Sequence, residues 1–123
     1  MIRATLLALA MALALAGTTG GAVVAQTMSS GTVAVLRGLD KLSGTTTDIE
    51  IAVGAIGSFA RLRITLVGCR YPTDNPNADA IAFLDIHDNR NEARLFRGWM
   101  IGSAPALNAL DDARYDVWVL SCR

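Results

Sequence analysis

Histidine, lysine and cysteine are all scarce in this chain of 123 residues: His87 and Lys41 stand alone, and Cys69 and Cys122 are the two cysteines. One histidine and two cysteines fall short of the four nitrogen and sulfur ligands of a structural zinc centre, so no metal is expected. No Cys-x-x-Cys occurs, which excludes dithiol exchange chemistry, and no Gly-x-Ser-x-Gly occurs, which excludes the common serine nucleophile elbow. Charge of neither sign dominates, with 11 Lys plus Arg against 11 Asp plus Glu. The cations are scattered along the chain, whereas a nucleic-acid surface needs them clustered, so nucleic acid is not an expected partner. No cofactor is assigned.

Long hydrophobic runs are also lacking, with one short exception at the start. After the basic start at residues 1–3, residues 6–16 contain only Ala, Leu and Met, an 11-residue run that is roughly half of the 20 or so residues needed to cross a bilayer. A basic start, a short apolar run and then small residues are the marks of a cleavable signal peptide. The cut is expected after Ala25, which divides the chain into a signal peptide at 1–25 and one domain at 26–123 with no membrane span of its own. With no cysteine near the cut and no arginine pair before the run, the expected route is the general secretory one and the expected destination the periplasm. The domain keeps 10 cationic and 11 anionic side chains, a net charge near −1.

A domain of about 98 residues has a small stability margin and gains from a covalent restraint. In an oxidising compartment Cys69 and Cys122 are expected to pair. Closing a loop of 53 residues stabilises by about 4 kcal/mol in the chain-entropy description.

Alternation of apolar and polar residues recurs in short runs separated by Gly, Pro, Asn and Asp, which predicts an all-β domain. Strands are expected at 32–39, 48–53, 61–66, 80–87, 94–101 and 115–121. A turn through 54–58 would pair the second with the third and bring Asp48 and Glu50 opposite Arg61 and Arg63. Residues 42–44 and 88–91 carry turn chemistry, and 71–79, with Pro72 and Pro76, reads as a longer surface loop. Pro105 opens a stretch, 103–110, expected to form a helix of about two turns before the last strand. The predicted architecture is a small antiparallel β-sandwich or partly closed barrel with that one short helix. Strict alternation puts Cys69 on the Arg61 and Arg63 face; a β-bulge at Gly68 would restore it to the core side.

Three groups of residues are candidates for function. Asp85 and His87 share a strand face, with Asp88 next in line, and a histidine beside a carboxylate is the minimum for acid–base catalysis. It is equally what a strand running into a polar turn looks like. The turn at 88–92 fails as a calcium loop, because Arg90 occupies a ligand position. Trp118 shares a face with Leu120 and Cys122 and is expected in the core. Trp99 lies between Gly98 and Gly102 on the face of Arg97, an arrangement able to line a groove in which a ring or a partner stacks.

Four passages carry a family resemblance: Ala34-Val35-Leu36-Arg37-Gly38-Leu39-Asp40-Lys41; residues 66–69; Gly98-Trp99-Met100; and Pro105-Ala106-Leu107-Asn108-Ala109-Leu110 leading to Tyr115-Asp116-Val117-Trp118-Val119-Leu120 and Cys122. In these the chain resembles the bacterial domain-of-unknown-function family 2155, seen chiefly in secreted alphaproteobacterial proteins. That resemblance implies no activity, cofactor or ligand, so it transfers no site residue. The residues themselves support three readings of function. The first is a non-catalytic accessory or interaction module, its partner an envelope protein or membrane complex. The second is a small-molecule or glycan-binding domain using Trp99 and Arg97. The third is a hydrolase or lyase built on His87 and Asp85.

Overall fold

The computed structural model describes residues 26–123 together with Gly17 and residues 20–22; the expected signal peptide otherwise lies outside the described residues. Eight strands succeed one another: β1 (Met28–Ser30), β2 (Val33–Asp40), β3 (Thr45–Ala52), β4 (Ile56–Phe59), β5 (Leu62–Pro72), β6 (Ile81–Asp88), β7 (Arg94–Ile101) and β8 (Tyr115–Cys122). Every pairing is antiparallel. One sheet runs β1-β5-β6-β7, with β4 also on β5, and the other runs β3-β2-β8. The two sheets form a sandwich that does not close into a barrel.

The period of two predicted for the strands decides the core. Leu62, Ile64 and Leu66 of β5 and Ala82, Leu84 and Ile86 of β6 point inward from one sheet, and Ala34, Leu36, Val117 and Val119 point inward from the other, all buried. Each large side chain moved out of water contributes about 1.5–3 kcal/mol, so this double row is the main source of cohesion. The turns at 42–44 and 88–91 close the β2–β3 and β6–β7 hairpins as expected.

Three register shifts break the period. One leaves Leu95 extra in β7, since Ile86 faces Phe96 and His87 faces Arg94, and so brings Arg94 to the face of Arg97; the other two each fall two residues ahead of a cysteine. In β5 the pairing with β6 shifts between Leu66 and Gly68, which leaves Val67 extra and exposed. In β8 the pairing with β2 skips Leu120, since Val35 faces Ser121 and Leu36 faces Val119. Each bulge reverses the parity of the residues beyond it, so Cys69 and Cys122 both turn inward and are buried. They form a disulfide with Cα atoms 6.0 Å apart, joining β5 of one sheet to β8 of the other. Gly31 crosses directly over it: its N–H donates to the Cys69 carbonyl at 2.9 Å, and a Cβ there would overlap Cys122 Sγ and reach within 3.0 Å of Cys69 Sγ.

Several expectations are corrected. The strands at 48–53 and 61–66 do not pair. Residues 56–59 are themselves strand β4, which turns back on β5 through Ala60 at φ 49°, while Gly54 at φ 85° carries the chain from one sheet to the other. Asp48 therefore bonds Arg37 at 2.7 Å, Glu50 bonds Arg123 at 2.9 Å, and Arg63 bonds Glu92 at 2.7 Å. Tyr71 and Pro72 belong to β5, with Pro72 fully buried, so the surface loop begins only after them. The expected helix is one 3-10 turn, Pro105–Leu107, with no side-chain cap and no buried residue; so short a stretch without an apolar face to bury does not propagate a helix. Trp118 is not in the core: the Leu120 bulge places it on the outer face of its sheet, half-buried beside Pro105, Ala106 and Ala109.

Gly31 and Gly68 give a direct check on this packing. Gly31→Ala is expected to lower stability by about 1–3 kcal/mol, the usual cost of overpacking. Gly68→Ala meets open space and is expected to stay within about 0.5 kcal/mol of the wild type. Urea unfolding of the oxidised variants measures both; equal effects would mean the bridge does not press on residue 31.

Candidate functional site

The outer face of the larger sheet is assembled by register. Arg63, His87 and Arg94 stand side by side across β5, β6 and β7; Thr65, Asp85 and Arg97 form the next row; then come Gly68, Phe83 and Trp99; then Arg70, Ile81 and Ile101. Cations scattered along the sequence are thus gathered onto one surface. It carries Arg63, Arg70, Arg94 and Arg97, against Asp85 and the turn residue Glu92.

The row containing Gly68 is short of a side chain at its β5 end, and a Cβ at Gly68 would meet nothing within 4 Å. The vacancy forms a groove of about 490 Å³ walled by Val53, Val67, Phe83, Trp99, Arg70 and Arg97. Trp99 is 37% exposed. The edge of one ring of the Phe83–Trp99 pair meets the face of the other, with centroids 5.4 Å apart and planes at 86°. The Arg97 guanidinium lies 5.5 Å from the Phe83 centroid, and that of Arg70 5.6 Å from the Trp99 centroid. Such contacts, worth about 0.5–1.5 kcal/mol each, fix ring and guanidinium orientations before anything binds. On the open edge of β7 the Asn108 side-chain amide donates to the Trp99 carbonyl at 2.9 Å, which holds this residue from behind.

Asp85 is the hub beside the groove. Its carboxylate accepts from Arg97 Nη1 at 2.8 Å, His87 Nε2 at 3.0 Å and Arg94 Nε at 3.1 Å. Burial pushes this carboxyl up, but the Arg94 hydrogen bond and the charges of Arg94, His87 and Arg97 outweigh it and hold it below the usual carboxylate range. It is therefore an ionised acceptor and no proton donor at neutral pH. The other ring nitrogen of His87, Nδ1, faces the Glu92 carbonyl at 3.2 Å. Both ring nitrogens thus meet protein acceptors. Sequence reasoning rightly brought Asp85 and His87 together, and Trp99 to Arg97, but the acidic group serves to aim arginines.

Asp88 does not join them. Next in sequence, it points to the opposite face, where it is buried and accepts from Arg90 Nη2 and from the Arg90 backbone N–H, each at 2.8 Å. The Arg90 side-chain bond, then its backbone bond, hold the carboxyl down at about 2. This makes Asp88 the anchor of the β6–β7 turn. Sequence reasoning missed Arg70, Phe83, Val53 and Val67. The outward side of Phe83 was readable from its parity with Asp85 and His87; that of Arg70 needed the bulge proposed for Cys69 to be carried one residue further.

Fold and site together define an open two-layer antiparallel sandwich, stapled between its layers and carrying an aromatic groove flanked by arginines. The chain belongs to the DUF2155 family, described as an uncharacterized protein conserved in bacteria, whose model matches residues 34–122. The match takes in β8 and both cysteines. No curated protein and no solved structure matches the chain.

Asp88 generates a prediction about acid. Its folded value of about 2 lies below the ordinary 3.8, so its contribution to stability is complete above about pH 4 and is lost as the pH falls toward about 2. Asp88→Asn is expected to be less stable at pH 7 and to have a flatter profile between pH 4 and pH 2, read from urea midpoints. A variant profile parallel to the wild type would remove Asp88 as a source of the acid limb.

Proposed function

We propose that the protein is exported through the general secretory route and works in the periplasm, from about Gln26 onward, as a non-catalytic binding module of the cell envelope whose working surface is the groove at Trp99 and Arg97. The observation that carries this reading is the groove itself. An exposed tryptophan stands in a concavity of about 490 Å³ within the range of about 300–1,000 Å³ common for ligand sites, with guanidinium groups on two sides. The signal-like N-terminus supports export, and the Cys69–Cys122 bridge is the kind of bond an oxidising compartment preserves. Against a hydrolase or lyase, Asp85 is committed to two arginines and His87 has an acceptor at each nitrogen. An accessory role in an envelope complex and a role in holding a small molecule or glycan both use this one surface.

The test is photo-crosslinking in the bacterium with the full chain. A photoreactive residue in place of Val67, on the groove wall, is expected to yield one defined adduct from periplasmic protein whose N-terminus lies at or near Gln26. The same residue in place of the exposed Leu42, at the β2–β3 turn, is expected to yield none. Adducts at Leu42 alone would move the working surface elsewhere, and an intact N-terminus recovered only in membranes would overturn the localisation.

A further inference from the structure

We infer that the groove is selective for an acid carried on a six-membered ring, with the Arg70 guanidinium as the seat of the carboxylate and Trp99 as the platform for the ring. This rests on the groove being the working surface, and it adds the ligand's chemical class and the residue that reads it.

Charge is concentrated at the groove. From residue 26 onward the chain carries a slight negative excess, yet this face holds four arginines against two carboxylates. Asp85 takes both Arg94 and Arg97, and Glu92 takes Arg63. The Arg70 side chain makes no hydrogen bond or ion pair among the described residues; its guanidinium lies over the Trp99 ring, 5.6 Å from the centroid. The positive excess of the surface therefore falls at the groove.

Arg70 is held without spending its donors. A cation over an aromatic ring is restrained by the ring's quadrupole without a hydrogen bond, so the five N–H donors of the Arg70 guanidinium stay free of protein acceptors among the described residues. A planar fork kept in place with its donors unspent suits bidentate capture of a carboxylate, and the restraint reduces the entropy lost on binding. Arg97 differs, because one of its nitrogens is already spent on Asp85 at 2.8 Å. It supplies a second positive charge whose place Asp85 sets, so Asp85 is a positioning residue.

The groove also has the shape for a ring. The bulge leaves Gly68 opposite Phe83, and the open space over Gly68 lies between Val67 and the aromatic pair. A ring seated there meets apolar surface on its flanks and the Trp99 side chain at its edge or face, with Arg70 within the same cleft. Two sources share this chemistry, aromatic acids and uronic acids, and the probes below separate them.

The experiment uses the oxidised protein and tracks the indole N–H of Trp99 and the guanidinium N–H of Arg70 by NMR at fixed ionic strength. The probes are benzoate against benzyl alcohol, and D-galacturonate against D-galactose. At least one acid is expected to shift both signals saturably and at least tenfold more tightly than its neutral partner, and the acid that does so identifies the source. Arg70→Gln is expected to abolish the tenfold preference, Gly68→Leu to block binding by filling the cleft, and Arg63→Gln, on the same face but paired with Glu92, to leave it unchanged. Equal binding of acid and neutral probes, or a preference that survives Arg70→Gln in a folded variant, would overturn the inference. So would silence from both acids. If the Val67 crosslink nonetheless forms, the groove stands as the working surface and only its ligand class is wrong; if that also fails, both fall.

Discussion

The covalent bond between Cys69 and Cys122 is the constraint around which the sandwich and its groove are arranged. It joins strands of different sheets across a separation of 53 residues, and neither cysteine reaches the interior by regular alternation. Each depends on a bulge two residues earlier, at Val67 and at Leu120. Bulges cost ladder pairing and expose one apolar side chain each, at Val67 and Leu120. Against that, the bridge contributes about 4 kcal/mol by restricting the unfolded chain, a large share of the stability available to a domain of this size.

The same irregularity that admits Cys69 to the core shapes the outer surface. Skipping one residue in β5 sets Gly68, with no side chain, opposite Phe83, and turns Arg70 outward beside Trp99. Groove and staple are therefore two faces of one bulge. Gly31 ties them further, since it runs over the disulfide while its neighbour Ser30 reaches the groove rim. Asp85 adds the electrostatic half: one ionised carboxylate holds Arg94, Arg97 and His87 in register, so that a chain with almost no net charge presents a positive surface at one place.

Much of this was legible in the residues. Alternation in 80–87 and 94–101 marked both strands and put Asp85 with His87 and Arg97 with Trp99, the polar turn at 88–91 marked their hairpin, and the pairing of the two cysteines called for a bulge at Gly68; the extra residue at Leu95, which turns Arg94 to the face of Arg97, carried no such mark. The bulge at Leu120 was not legible, because nothing in Val119-Leu120-Ser121 marks it: no glycine stands there, and strict parity sent Trp118 into the core with Cys122. Pairing of 48–53 with 61–66 was the natural reading of a short polar break, yet two residues with positive φ, Gly54 and Ala60, divide that break into a change of sheet and a tight hairpin. The gathering of Arg63, Arg70, Arg94 and Arg97 is a property of strand order and register, which local sequence does not encode.

If the bridge organises the groove, removing it must disturb the groove more than the far end of the sandwich, where Phe59 meets Tyr115 at 5.7 Å. The direct measurement compares NMR spectra of the oxidised protein and of the folded Cys69→Ser/Cys122→Ser variant. The account predicts that signals of Gly31, Gly68, Arg70 and the Trp99 indole move or broaden while those of Phe59 and Tyr115 keep their positions. Groove signals that coincide in the two spectra would contradict it.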